Sequence, residues 1–493
     1  MIVLSPLFLL LPILLPVIGG FLILPLHFQE DRKRNLYAET IVILTSVLVW
    51  IAIFAVRREP VELYSFTRGF SIDLRVDGPA MLFAGMVSLM WPFVMLYAFD
   101  YMAETHRKNM FFAFYVMTYG ITLGVAFASN MTTLYVFYEM LSLVTIPLVI
   151  YYQDHESLYA GRKYAAYTIG GASLAFFAVL MTTVYGDAGN FAYGGSILGV
   201  GAGYGIMQVA YLFAFFGFGV KAAVFPLHDW LPTASAAPTP VTALLHAVAV
   251  VNSGVFAIMR TTWYVYGPEY LMGRPAQIIA ILVAAFTLVF AAGMALKERH
   301  FKRRLAYSTV SNLSYMLFGI MLLTPEGLTG GLLHMLFHGI IKMSLFLCAG
   351  AFMHVMGKNY IYEVNGVGRK MPITFTVYTL GALSLTGIPL FCGFVSKWHL
   401  ITAGIAAGTA WGLIGVIALI LSAFLCAMYT LNVSIRAFFP PADKDRFTDG
   451  KGLHEAHLLM LIPMLVFAVI NVIFGMFPGP IVSFIERIAA GLI

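Results

Sequence analysis

Residues 205–232 read GIMQVAYLFAFFGFGVKAAVFPLHDWLP. No charge interrupts this run before Lys221, and Pro226 follows five residues later. An apolar run of this length suits a helix crossing lipid, where about 20 residues are needed. Lipid leaves no backbone polar group to water, so only helices or closed barrels cross it. A proline removes one backbone donor and clashes with the preceding turn. Such a break is tolerated where neighbouring helices or water take up the freed groups. The stretch therefore predicts a membrane helix broken beside an intramembrane lysine.

The rest of the chain extends that reading. Of its 493 residues 60% are hydrophobic and 11% are charged, against roughly 25% charged in soluble domains. Barrel strands would alternate polar and apolar residues over about ten positions, whereas runs such as 4–25 and 41–56 are unbroken. Hydropathy predicts an all-α integral membrane protein of about 14 transmembrane helices. Their cores lie near 3–26, 36–56, 78–100, 110–129, 131–152, 164–185, 205–224, 241–264, 275–296, 304–323, 328–355, 372–403, 410–435 and 457–485. With that layout, 19 of the 29 Lys and Arg fall in loops after odd-numbered spans, among them Lys302, Arg303, Arg304, Lys444, Arg446 and Lys451. Seven, including Arg68, Arg75 and Arg260, fall on the other side, and Lys221, Lys342 and Lys397 lie within spans. The positive-inside rule then predicts a multi-pass protein of the cell (inner) membrane with both termini outside the cytoplasm. The net charge of +6 is a topology signal, and no nucleic-acid partner is expected.

Ionisable groups inside spans are expensive, roughly 2.5–3.5 kcal/mol for Lys or Asp on insertion scales. Glu139, Lys221, His246, His334, His338, Lys342 and Lys397 all fall in apolar runs. Steps of four place His334, His338 and Lys342 on one helix face. Glu139 is a counter-charge for Lys221 if their helices meet. A structural ion pair and isolated packing histidines are the bland alternatives, but seven such groups in five spans favour a hydrated polar path. Asp77, before Gly78 and Pro79, is expected to cap the third span. Cys348, Cys392 and Cys426 are scattered in apolar runs and read as buried small hydrophobes. Neither a metal site nor a cofactor site is predicted, because no ligand cluster or phosphate-binding motif is present. The glycine-rich stretch 194–205 reads as a loop.

A short echo links two of the lysines. Gly217-Phe218-Gly219-Val220-Lys221 and Gly393-Phe394-Val395-Ser396-Lys397 share G-F-x-x-K, each beside a proline, Pro226 and Pro389. The copies lie five spans apart. An odd offset reverses orientation, which fits two inverted five-helix repeats with helices 7 and 12 broken.

Several motifs carry a family resemblance. Phe137-Tyr138-Glu139-Met140-Leu141-Ser142-Leu143 resembles the glutamate motif of the antiporter-like subunits of respiratory complex I. So do Lys221 through Pro232, with its K-x-x-x-x-P-x-H-x-W-L-P pattern, and Ala237-Pro238-Thr239-Pro240-Val241-Thr242-Ala243-Leu244-Leu245-His246. Arg304-Leu305-Ala306-Tyr307-Ser308-Thr309 and Thr386-Gly387-Ile388-Pro389, leading to Lys397, match as well. The resemblance runs from about Asp77 to the end of the last span. The family spans complex I, Mrp cation/proton antiporters and membrane-bound energy-converting hydrogenases. The resemblance implies N-terminal helices 1–3 (1–105), a first repeat of helices 4–8 (106–270), a second, inverted repeat of helices 9–13 (271–440), and a cytoplasmic loop with helix 14 (441–493).

The resemblance implies a proton- or sodium-translocating subunit of a hetero-oligomeric membrane assembly. Redox chemistry or antiport would be coupled through partner subunits, with no redox site in this chain. It implies Glu139 as the carboxylate of span 5, Lys221 as the broken-helix lysine and His246 as a relay in span 8. His334, His338 and Lys342 would form the central path, and Lys397 the terminal site. Many members carry a lysine in span 8 where this chain reads Val250-Val251-Asn252-Ser253, and some carry a glutamate in place of Lys397. A standalone secondary cation/proton antiporter is the alternative function; an inert scaffold and a quinone-binding subunit are further rivals.

Overall fold

A computed structural model describes residues 4–26, 28–67, 69–185, 189–197, 204–441 and 452–493. Arg68, residues 442–451 and half of the glycine-rich stretch, 198–203, fall outside the described residues. Among the described residues, 11 helices are long and apolar enough to cross a membrane. The chain is mostly helical and is a multi-span membrane protein.

The helices run α1 (Leu10–Leu26), α2 (Asp31–Ala55), α3 (Gly78–Tyr101), α4 (Lys108–Phe127), α5 (Met131–Val149), α6 (His155–Tyr185) and α7 (Tyr204–Gly219). Short helices α8 (Trp230–Ala234), α9 (Thr239–Ala247), α10 (Val250–Arg260) and α11 (Pro268–Leu271) follow. Then come α12 (Pro275–Lys297), α13 (Phe301–Met321), α14 (Pro325–Met356), α15 (Pro372–Thr386), α16 (Cys392–Ala406), α17 (Ala410–Phe438), α18 (Leu458–Met476) and α19 (Gly479–Ala489).

One element departs from an all-α reading. Strands β1 (Val61–Thr67) and β2 (Phe70–Leu74) form an antiparallel hairpin between α2 and α3. Its aromatic and β-branched residues suit a pleated surface, and hydropathy averaging passes over so short a segment. The hairpin is pinned to the start of α5. The Asp73 amide donates to Thr133 Oγ1 at 2.8 Å, and Asn130, which caps α5, donates from Nδ2 to Asp73 Oδ2 at 2.9 Å.

Burial sorts the helices into an interior and a rim. α9 and α10 are buried throughout, and α14 is buried from Gly327 to Phe352. α14 packs against α3, α9, α13, α15, α16, α18 and α19. Its 32 residues run about 48 Å at 1.5 Å per residue, longer than a hydrocarbon core of about 30 Å. α1, α2, α17 and α18 instead present apolar side chains such as Phe54, Ile417 and Phe424 outward, the surface that lipid covers. α13 is not among the 11 apolar spans although most of it is buried. Its polar run Ser308-Thr309-Val310-Ser311-Asn312-Leu313-Ser314-Tyr315 explains both facts, since these side chains turn inward to other helices.

The three cysteines are free and buried. Lys302 and Arg304, counted above as loop charges, are buried in the first turn of α13. Arg260 likewise ends α10 fully buried, not in a loop.

Candidate functional site

Two interruptions place two of the predicted lysines. α7 stops at Gly219, and residues 220–229 turn before α8 begins at Trp230. The freed backbone groups find partners: Trp230 Nε1 donates to the Val220 carbonyl at 2.7 Å, and the Phe225 amide donates to Thr287 Oγ1 of α12 at 3.1 Å. Lys221 sits in this turn, fully buried. Its Nζ donates to the Tyr138 carbonyl of α5 and lies 3.4 Å from the centroid of the Tyr138 ring. Gly254 of α10 permits the approach, because a Cβ there would stand 2.5 Å from the Ala222 nitrogen.

Glu139 follows Tyr138 in α5. It does not form an ion pair with Lys221 within 4.0 Å, and its Oε1 is buried without a hydrogen-bond partner. The structure thus brings the two helices together but leaves the charges facing across a gap.

The second interruption lies between α15 and α16. Gly387 ends α15 with φ 98°, a left-handed conformation that glycine adopts without strain. Lys397 Nζ donates to the carbonyls of Leu385 at 2.6 Å and Thr386 at 3.1 Å, so it caps the end of α15. A Cβ at Gly387 would meet Lys397 Cδ at 3.0 Å. Tyr315 of α13 lies beneath, its ring centroid 5.1 Å from Lys397 Nζ and 5.1 Å from the His334 ring.

Between these points runs α14. His334 is held at both ring nitrogens, by Ser396 Oγ at 2.9 Å and Asn312 Oδ1 at 3.1 Å. The His338 ring is 6.2 Å from that of His334, and neither of its nitrogens has a partner. Lys342 donates to Ser308 Oγ at 2.5 Å and to the Leu305 carbonyl at 3.0 Å. Phe346 stands between Lys342 Nζ (5.9 Å) and the His246 ring (5.0 Å). His246 is fully buried with both nitrogens unpartnered; nearby in sequence, Asn252 donates to the Ala247 carbonyl but leaves Oδ1 unpartnered. Buried polar atoms are nearly always hydrogen-bonded, to protein or to ordered water. Orphans on Glu139, His246, Asn252 and His338 mark places that water would fill.

A polar cleft of about 410 Å³ lies beside this row, lined by residues including Tyr101, Glu156, His300, Lys302, Arg303 and His354. Arg303 pairs with Glu156 at its edge. Burial, with Lys302 and Arg303 close by, pushes the His300 imidazole down to about 4, so it is neutral at pH 7. Lys302 Nζ donates to the Ala237 carbonyl at 2.8 Å, and Thr242 Oγ1 reaches the same oxygen at 3.1 Å. Thr242 lies one turn before His246 on α9.

The structure adds residues that the sequence analysis did not single out. Tyr138, Ser308, Asn312, Tyr315 and Ser396 hold the ionisable groups in place. Asp77 does cap α3, accepting from the Ala80 amide at 3.1 Å. It also accepts two hydrogen bonds from Arg260, both 2.6 Å, and one from Arg75 at 2.9 Å. Glu39 of α2 lies two turns inside its helix, with Oε2 buried and unpartnered.

Eleven apolar spans among the described residues, packed around buried lysines and histidines, define a polytopic membrane protein. Residues 128–424 match the family described as "NADH:quinone oxidoreductase/Mrp antiporter, TM". The chain belongs to that family. It is 32% identical over 413 residues to the NADH-quinone oxidoreductase subunit L of Mycobacterium tuberculosis, covering 83% of this chain and 63% of the relative. It is 29% identical over 438 residues to the Na(+)/H(+) antiporter subunit A1 of Staphylococcus haemolyticus, covering 83% and 53%. The chain thus spans less than two thirds of the length of these curated relatives. Two solved structures share the fold. A chain of the membrane-bound sulfane sulfur reductase, an archaeal respiratory membrane complex, aligns with TM-score 0.85 at 22% identity, covering 98% of this chain and 97% of that one. A chain of the Mrp complex from Dietzia sp. aligns with TM-score 0.84 at 20% identity and the same coverage.

Proposed function

We propose that this chain is the ion-translocating subunit of a complex I-like, Mrp-like or hydrogenase-like membrane assembly. Protons, or protons in exchange for sodium, pass along its buried row. The observation that carries this reading is the set of near neighbours from His246 past Phe346 to Lys342, His338, His334 and, across Tyr315, Lys397, with Glu139 and Lys221 brought to a common place by α5 and the turn after α7. Glu139 and Lys221 lie at one end, His246, Lys342, His338 and His334 in the middle, and Lys397 at the other. Unpartnered nitrogens and oxygens fall where hydrogen bonds between neighbours are missing. The span 8 histidine has no lysine beside it, so Asn252 and water carry the link there.

Glu139 and Lys221 form the switch. At an effective dielectric of about 20, unit charges about 4 Å apart interact by roughly 4 kcal/mol. Closing the gap favours the ammonium form of Lys221 by that order; opening it favours proton release. The polar cleft at Glu156, His300 and Lys302 is the aqueous mouth, and the positive-inside rule assigns it to the cytoplasm with both termini outside. In this reading there are fourteen spans, with α7 and the turn after it forming broken span 7 and α15–α16 forming broken span 12. Residues 106–270 and 271–440 are the two inverted repeats, flanked by 1–105 and 441–493. Partner membrane subunits supply the redox or antiport step.

The test compares Glu139→Gln, Lys221→Met and the double variant in the native assembly, scoring both assembly and ion transport. Both singles should assemble and lose transport, and the double should stay inactive. A double variant that transports normally would make the pair structural and end the switch mechanism. Ion exchange by the purified chain alone in liposomes would make it a self-sufficient antiporter instead of a subunit.

A further inference from the structure

A second cleft lies on the outer flank, away from the buried row. It measures about 410 Å³ and is walled by apolar side chains of α2, α3, α14, α18 and α19. Trp50, Phe54, Leu89, Leu336 and Phe474 are among them. From Met81 to Leu89 along α3 the cleft runs about 12 Å, at 1.5 Å per residue. Its lining carries two cations, Arg58 just beyond the end of α2 and Arg487 on α19, and also Ile493, whose carboxylate pairs with neither among the described residues. Both arginines lie at the membrane face where α2 and α18 finish and α3 begins. Among the described residues neither guanidinium has an ion pair or a side-chain hydrogen bond. The floor is open at Gly85 of α3, where a Cβ would make only ordinary contacts, 3.6 Å to Ile53 and 3.7 Å to Trp50.

We propose that this cleft binds one anionic phospholipid, with its phosphate between Arg58 and Arg487 and an acyl chain lying over Gly85 toward Leu89 and Leu336. The charge pattern selects the occupant. An apolar slot alone would accept any chain, but two unpaired guanidinia at its interfacial end need an anion, and arginine presents a planar fork that matches phosphate oxygens. A helix from a partner subunit would fill the slot yet leave both arginines without counter-charge unless it carried acids at that level. The site is independent of the ion path and stands or falls separately from it.

Native mass spectrometry of the full chain, released from nanodiscs of phosphatidylcholine doped with phosphatidylglycerol, tests the proposal. Under graded activation one phosphatidylglycerol should be retained in preference to phosphatidylcholine. Arg58→Gln/Arg487→Gln should weaken that retention about thirtyfold, which is about 2 kcal/mol at 1.4 kcal/mol per factor of ten. Gly85→Leu fills the slot without touching the charges and should also displace the lipid. The two variants therefore separate a built site from general attraction to a charged surface. Equal retention of both lipids by the unaltered chain would overturn the proposal. So would unchanged retention in either variant, or a protein helix seated in the cleft of the isolated assembly.

Discussion

The two interrupted helices carry the same five-residue pattern and use their lysines differently. At the first, Lys221 reaches out of its own span to the Tyr138 carbonyl and the face of its ring, one residue from Glu139. At the second, Lys397 turns back on its own span and caps the Leu385 and Thr386 carbonyls, with Tyr315 as its aromatic neighbour. Lys221 forms no ion pair among the described residues, and the carboxylate of Glu139 follows directly on the residue it binds. Lys397 also makes no ion pair among the described residues, and its nearest groups are carbonyls and a phenol ring. The shared motif thus places one lysine against a neighbouring helix that carries a carboxylate, and the other against the end of its own helix pair. The lesson is that repeated sequence fixes where a lysine enters the bilayer, while the opposing helix decides what it does there.

Replacing each lysine with methionine tests this contrast most directly. Lys221→Met should reduce ion transport at least about a hundredfold, the equivalent of losing roughly 3 kcal/mol of coupling, with little change in melting temperature. Proton uptake into inverted vesicles, followed by a pH-sensitive dye, reads the first; thermal unfolding in detergent reads the second. Residual transport above a tenth of normal would remove the distinction between the two ends.

Lys397→Met should act on both readouts. It strands two buried carbonyls, and leaving a buried acceptor unsatisfied costs about 1–3 kcal/mol. We expect a loss of about 2 kcal/mol in stability together with a several-fold fall in transport. A variant that melts like the unaltered protein would show that the capping bonds contribute nothing and that the two lysines are alike.

The smallest effect belongs to Trp230→Phe, which keeps the ring but frees the Val220 carbonyl at the first interruption. A destabilisation of about 1 kcal/mol with transport retained is the expected result. Loss of transport instead would mean that the turn after α7 must be held by the indole for Lys221 to work, making the first end as dependent on helix geometry as the second.

Much of this site was legible because a charge in an apolar run is conspicuous. Glu139, Lys221, the three groups of α14 and Lys397 stand out on that ground alone, and the step of four between His334, His338 and Lys342 places them on one face. The groups that hold them were not legible. Ser308, Asn312, Tyr315 and Ser396 are ordinary in membrane helices, and only the packing of α13 and α16 against α14 turns them inward. Glu39 falls near the start of the predicted span 36–56, where a charge reads as interfacial; α2 begins at Asp31, so the residue is two turns inside. The Asp77–Arg260 pair joins residues 183 apart in the chain, beyond the reach of any local pattern. The hairpin at 61–74 escaped because hydropathy averages over windows longer than its strands.

The 32 residues of α14 contain no proline after Pro325, so His334, His338 and Lys342 ride on one uninterrupted rod. Their rungs are about 6 Å apart at four residues of 1.5 Å each, and the two imidazole centres stand 6.2 Å from one another. A single hydrogen bond spans only about 3 Å, so no rung touches the next directly and each hop needs a bridging water. The rod therefore acts as a ladder of set pitch that cannot itself open or shut. If ions pass along it as proposed, control has to sit at the two ends, where Lys221 and Lys397 hold backbone carbonyls.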